Sequence, residues 1–245
     1  SDFTGQEALW NPVEELKLEQ NGGETKLLDW DATVKLNLLP LLAKDGHSIH
    51  SLSTQLTFAD QQSDNFDYWF RPSTSRLAMK NDYKGEASRT YSKYRQHSLE
   101  WLGNYAMELK GHRARAMVGY SYQYFQNSGL NAANKDFSSD GLLYNNLGSG
   151  EWAKEEGRNE MGTNKSDSKL IAFFGRLSYD YKNRYLMTAS LRYEGSSRFG
   201  DDNKWGYFPA VSAGWRISEE AFMKDITWID DLKIRANYGT LGNSS

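Results

Sequence analysis

The chain has 245 residues, a formal net charge of −3 and no cysteine. Aromatic residues alone make up 14 % (8 Trp, 15 Tyr, 11 Phe) of a 38 % hydrophobic total, so the aliphatic share is small for a soluble two-layer domain. Absence of Cys excludes disulfide scaffolds, thiolate metal sites and Cys nucleophiles. The near-neutral balance argues against a dedicated nucleic-acid binder, the aromatic content against disorder, and the lack of any run of 18 apolar residues against a transmembrane helix.

Period-two alternation dominates the chain and predicts strands. From Leu28 to Leu38 the even positions are apolar and Asp29, Asp31, Thr33, Lys35 and Asn37 alternate with them. A weaker strand is expected at 47–59, around Leu52, Leu56 and Phe58. A third at 95–110 carries Leu99, Trp101, Tyr105 and Met107, and Gly111-His112 turns the chain into a fourth at 113–126. After a polar stretch at 127–167, the fifth strand (168–181) sets Ile171, Phe173, Leu177, Tyr179 and Tyr181 against Lys169, Arg176, Ser178 and Asp180. The sixth (184–194), seventh (206–217) and eighth (231–240) alternate in the same way, and 219–229 reads as a short helix or turn.

Connections near 40–46, 111–112, 182–183 and 218–230 read as short, and those at 60–94, 127–167 and 195–205 as long. Strands of eleven to fifteen residues at about 3.3 Å each, tilted by about 40°, rise roughly 28–38 Å, which crosses a bilayer. Tyr120, Tyr122 and Tyr124 at one end, and Tyr179, Tyr181 and Tyr185 at the other, suit two membrane interfaces. The opposite faces carry Arg113, Arg115, Arg176, Arg192, Arg216, Lys233 and Arg235. Such cations cost about 2–4 kcal/mol each against lipid at mid-bilayer, so they are expected to line water or a plug.

Five segments in order then carry a family likeness: Ser168–Tyr179 (SKLIAFFGRLSY), Asn183–Arg192 (NRYLMTASLR), Glu194–Gly200 (EGSSRFG), Lys204–Arg216 (KWGYFPAVSAGWR) and Leu232–Asn243 (LKIRANYGTLGN). Together they resemble the SusC/RagA family of TonB-dependent outer-membrane transporters, with Tyr193-Glu194 standing where Arg-Asp is commoner. The resemblance implies an all-β fold: about eight strands of a 22-stranded antiparallel transmembrane barrel, with long extracellular loops and short periplasmic turns. Residues 1–245 are expected to be part of that barrel domain, without the plug domain or TonB box. It also implies multi-pass residence in a Gram-negative outer membrane and active import of a large nutrient. The expected substrate is an oligosaccharide, or else a peptide. The implied partners are a SusD-like surface lipoprotein and the TonB complex. No enzymatic activity, catalytic residue, cofactor, metal or nucleic-acid partner is expected.

Other motifs read as structural. Gly195–Gly200 lacks the Lys and spacing of a phosphate loop and is expected to be a loop-base turn, with Arg198 paired to neighbouring carboxylates. His47, His50, His97 and His112 have no metal-binding spacing. Asn134, Asp136, Ser138 and Asp140 only faintly match a Ca²⁺ loop, because Ser139 stands where Gly is required. Trp69, Phe70, Tyr144, Trp152, Trp205, Tyr207 and Phe208 are expected outside the lipid band. Trp69, Tyr144, Trp152, Trp205 and Tyr207 are the candidate substrate or partner contacts, against a reading in which they pack the loops together. Two other readings stay open at this point: a passive porin or adhesin barrel, and a soluble carbohydrate-binding β-sandwich.

Overall fold

The computed structural model describes residues 12–43, 48–158, 160–198, 205–223, 225–226 and 228–240. Two short helices, α1 (Pro12–Leu18) and α2 (Arg76–Lys80), accompany eight strands. These are β1 (Gln20–Ala43), β2 (Ser48–Arg71), β3 (Glu86–Leu109), β4 (His112–Lys135), β5 (Met161–Tyr181), β6 (Tyr185–Ser196), β7 (Trp205–Arg216) and β8 (Lys233–Gly239). They form one antiparallel sheet in sequence order, as expected of a barrel wall. Tight turns enforce part of that order. Lys110 (φ 47°) and Gly111 (φ 84°) both take the left-handed region, as a two-residue type I′ hairpin requires. A Cβ on Gly111 would also lie 2.9 Å from the Lys182 side chain. At the next hairpin Lys182 and Asn183 take positive φ, and the Asn183 N–H donates to the Asp180 carboxylate at 2.9 Å.

The register of β5 to β8 shows the alternation directly. On one face, Leu177 pairs with Ala189, Ala189 with Val211, and Val211 with Tyr238. One row along, Tyr179 pairs with Met187, Met187 with Ala213, and Ala213 with Ala236. Aromatic rows bound this band: Tyr181, Tyr185 and Trp215 at one end, and Phe173, Tyr193 and Tyr207 at the other. The rows are separated by about 26 Å of strand, which gives about 20 Å of rise at a 40° tilt, within the apolar band of a membrane barrel. Leu177, Leu191 and Val211 are 55 %, 49 % and 52 % exposed, so the aliphatic face is presented outward rather than folded into a sealed interior.

Every expected strand is present, but β2 to β5 run much further toward the long loops than 59, 95, 126 and 168 suggested. Added stretches such as Gln61–Asn65 are polar on both faces, so hydrophobic alternation does not mark them; main-chain ladders extend them instead. Trp69 and Phe70 therefore lie on β2 and Trp205 on β7 rather than in the long connections, while Tyr207 and Phe208 fall on β7 within the expected 206–217. The connection expected as short at 218–230 runs from 217 to 232 and holds two 3₁₀ turns, Ile217–Glu219 and Ala221–Met223, where a short helix was considered. His47, Phe199–Lys204 and 241–245 lie outside the described residues.

The chain divides into two compact units. One comprises 1–28, 61–95 and 126–167. Its small core is Phe70, Ala87 and Phe137, with Leu143, Tyr144 and Leu147 packed against it. Ser75 caps α2 by accepting the Ala78 N–H at 3.3 Å. The other unit comprises 29–60, 96–125 and 168–245 and contains the two-faced sheet of β5 to β8.

Adjacent positions on β7 face opposite ways and should tolerate charge differently. In the full-length protein folded into lipid vesicles, Val211→Arg is expected to lower unfolding free energy by about 2–4 kcal/mol. Ser212→Arg should change it by less than about 0.5 kcal/mol. Denaturant titration of both variants reads the difference, and equal losses would contradict a lipid-facing Val211.

Candidate functional site

In the second unit the polar face of the sheet gathers the expected lining residues. Arg176 pairs with Ser190, Thr188 with Ser212, and Ser212 with Asn237, while Arg235 stands opposite Gly214 and Lys233 opposite Arg216. Some of these cations are neutralised: Arg113 by Asp180 at 3.1 Å, Arg192 by Glu194, and Arg216 by Asp231 at 3.4 Å. Among the described residues no carboxylate pairs with Arg115, Arg176, Lys233 or Arg235. Arg192 also lies 5.6 Å from the Phe174 ring centroid. Arg198 Nε donates to Ser168 Oγ at 3.2 Å and its guanidinium lies 5.9 Å from the Phe125 ring; among the described residues it meets no carboxylate of the kind expected for it. The nearby Glu194 is already held by Arg192.

In the first unit, two of the expected contact aromatics belong to one charged network. Trp69 Nε1 donates to Glu19 at 3.3 Å, and the Arg71 guanidinium lies 4.6 Å from the Trp69 ring. Arg71 donates to Glu19 at 2.6 Å, to Tyr83 Oη at 3.0 Å and to Glu86 at 3.2 Å. Glu86 also accepts from Lys135 at 3.3 Å, and Lys135 lies 5.2 Å from the Trp152 ring. Arg158 stacks on the same Trp152 at 3.7 Å and reaches Glu155 at 2.9 Å. Burial opposes the Arg71 charge, but the hydrogen bonds to Glu19 and Tyr83 outweigh it and raise its pKa above the ordinary guanidinium value. None of Glu19, Arg71, Glu86 or Lys135 stood out in the sequence, because partners some 50 residues apart share no local pattern.

The other expected contacts sit elsewhere. Tyr144 stacks on Tyr68 with centroids 3.8 Å apart, and desolvation followed by its hydrogen bond to Tyr68 raises its pKa. Trp205 and Tyr207 stack on Tyr193 at 4.6 and 4.3 Å, in the aromatic row that ends the aliphatic band. Phe208 pairs with Arg192 on the polar face. Three of the four residues that faintly suggest a Ca²⁺ loop bond the protein itself. Asp136 accepts the Lys84 N–H at 2.8 Å, Asp140 accepts the Ser73 N–H and Oγ–H, and Asn134 bonds the backbone of Leu147, Gly150 and Ala153. His50 and His112 pair with Tyr105 and Tyr179, and His97 with the buried Asp60.

The connection from 217 to 232 is pinned by Glu220. Its carboxylate accepts from Tyr185 Oη at 2.6 Å, Trp215 Nε1 at 3.0 Å and Arg184 at 3.0 Å. The Tyr185 hydrogen bond is the largest cause of a Glu220 pKa below the usual carboxylate value.

The family described as "TonB dependent receptor-like, beta-barrel" matches residues 8–243. "TonB-dependent receptor P39" of Formosa agariphila is 42 % identical over 135 residues, covering 54 % of this chain and 12 % of that protein. "TonB-dependent receptor P3" of the same organism is 32 % identical over 161 residues, 66 % of this chain and 16 % of that protein. "TonB-dependent receptor SusC" of Bacteroides thetaiotaomicron is 49 % identical over 76 residues, 31 % of this chain and 8 % of that protein. The chain thus matches only a small part of the length of these curated relatives. Among solved structures, the RagAB peptide importer in its open-open state superposes with a TM-score of 0.72 over 93 % of this chain and 23 % of that one. At 20 % identity that is a likeness of fold.

Two outcomes test the ion pairs. Arg71→Gln leaves Glu19 without its guanidinium, and should cost about 2–4 kcal/mol of local stability. It should be read as faster hydrogen exchange in peptides covering 66–71 and 84–88. For Glu220 the lowered pKa means full stabilisation above about pH 4.3, lost as pH falls through the lowered value. The thermal midpoint should therefore be flat from pH 8 to about 5 and fall in acid. Glu220→Gln should lower the neutral midpoint and flatten the acid limb.

Proposed function

The chain belongs to the TonB-dependent receptor β-barrel family, as a member of its SusC/RagA type, and on that premise we propose that it forms wall and loops of an outer-membrane active importer of a large nutrient. One observation carries the reading: β5 to β8 set an exposed aliphatic band, bounded by two aromatic rows, against a face rich in Arg, Lys, Ser and Thr. A sheet with those two faces suits lipid on one side and a wet lumen on the other. A sandwich would have buried Leu177, Leu191 and Val211.

An oligosaccharide is the favoured cargo. Trp69 and Trp152 sit half-buried, each with a cation on a ring face, in a network of charged groups that can hydrogen-bond sugar hydroxyls. Tyr144 packs into the small core beside them and serves as support. Trp205 and Tyr207 act as interface anchors rather than as cargo contacts. Arg113, Arg115, Arg176, Arg192, Lys233 and Arg235 line the lumen. A SusD-like lipoprotein delivers the cargo from the surface, and TonB acts through a plug outside residues 1–245. The work is binding and gating, so no bond is made or broken.

Uptake of a fluorescent oligosaccharide by cells carrying and lacking the full-length gene tests this. Uptake is expected to require the gene, to vanish when TonB is deleted and to stop when an uncoupler collapses the inner-membrane proton gradient. Uptake that survives both would assign a passive pore instead.

A further inference from the structure

The four cations of the polar face that lack a carboxylate are not spread evenly. Arg115 on β4 and Arg176 on β5 line one recess of about 440 Å³, together with Ser51, Ser53, Asn104 and Ser178. No carboxylate lines that recess. Among the described residues neither guanidinium has an ion pair, hydrogen bond or ring partner. The neighbouring acid, Asp180, is held by Arg113. Both guanidiniums are exposed, and among the described residues no carboxylate forms an ion pair with either. Each presents a planar fork that matches a carboxylate or sulfate in bidentate fashion. The serine hydroxyls and the Asn104 amide supply the shorter-range donors and acceptors that a sugar ring uses. The volume falls in the usual range of small-molecule sites, about 300–1,000 Å³.

We propose that the Arg115–Arg176 recess is an oxyanion subsite of the lumen, and that the imported glycan is therefore an acidic one, bearing uronate carboxylates or sulfate esters. The inference rests on the importer reading and narrows its cargo. A neutral glycan gives these two cations no counter-charge. An acidic glycan neutralises them as it passes, with contacts that remain hydrated and so release it.

The test uses the full-length protein in detergent, with hexagalacturonate, its fully methyl-esterified form and inorganic sulfate as probes in titration calorimetry. Hexagalacturonate should bind at least about tenfold more tightly than the ester, and sulfate should compete with it. The preference should weaken steeply with added salt. Arg115→Gln with Arg176→Gln should abolish the preference, and the matching Lys pair should restore part of it. Equal binding of acid and ester, no binding of either anion, or a preference unchanged in the double Gln variant would overturn the subsite. So would a wild-type protein without preference whose double Gln variant melts earlier in sugar-free buffer. That result would assign the recess to a carboxylate of the protein's own chain. Uptake is measured in parallel. TonB-dependent uptake without acid preference fails this inference alone, whereas TonB-independent uptake fails the importer reading.

Discussion

A strand turns successive side chains to opposite faces of its sheet, so a wall that separates hydrocarbon from water must be written into every strand at alternate positions. Receptors of this family reside in the outer membrane, and β5 to β8 meet that requirement row by row. Where Leu177, Ala189, Val211 and Tyr238 align, no charge interrupts the row. One residue away the row is Arg176, Ser190 and Ala210. A slip of one residue in any pairing would exchange the two faces and put guanidiniums where aliphatics belong. The hairpin at Lys182–Asn183 fixes the β5–β6 register from the turn outward, as Lys110–Gly111 does for β3 and β4. The low overall hydropathy follows as well, because only half of each strand meets lipid.

What could be read in advance divides along the same line. All eight strands were legible where one face is apolar, since alternation is a strong signal there. It fades beyond Asp60, before Arg95, beyond Phe125 and before Ser168, where both faces are wet. In that half order comes from elsewhere. Phe70, Ala87 and Phe137 make a small core, and Asp136 and Asp140 tie loop backbone to the chain near Ser73 and Lys84. The Arg71 network joins Glu19, Glu86 and Lys135. These are contacts between distant residues, and no local spacing announces them. The five family segments all fall after Ser168, so they said little about this half.

The aromatics show how composition can point to the right residues and the wrong places. Trp69, Trp152, Tyr144, Trp205 and Tyr207 share one reading in the sequence because each is expected outside the lipid band. The sheet separates them. Tyr193 draws Trp205 and Tyr207 into the row that closes the band, and Tyr68 draws Tyr144 against the Phe70 core. Trp69 and Trp152 alone share a charged network. For a Tyr or Trp, the register of its strand decides its role more than its distance from the apolar run.

On the importer reading proposed above, the polar face is a conduit that binds without trapping. Ion pairs such as Arg113–Asp180 keep part of the wall rigid and electrically quiet. Arg115 and Arg176 share one recess, and Lys233 and Arg235 add further positive positions on β8. A single deep site would hold its cargo, because tight binding slows release. Several shallow, solvated cations raise the local concentration of an anionic chain while each contact stays weak, since water screens exposed charges strongly. On that reading a long acidic polymer exchanges one contact for the next as it moves. Under a pull from the periplasmic side, that exchange needs no step in which all contacts break at once.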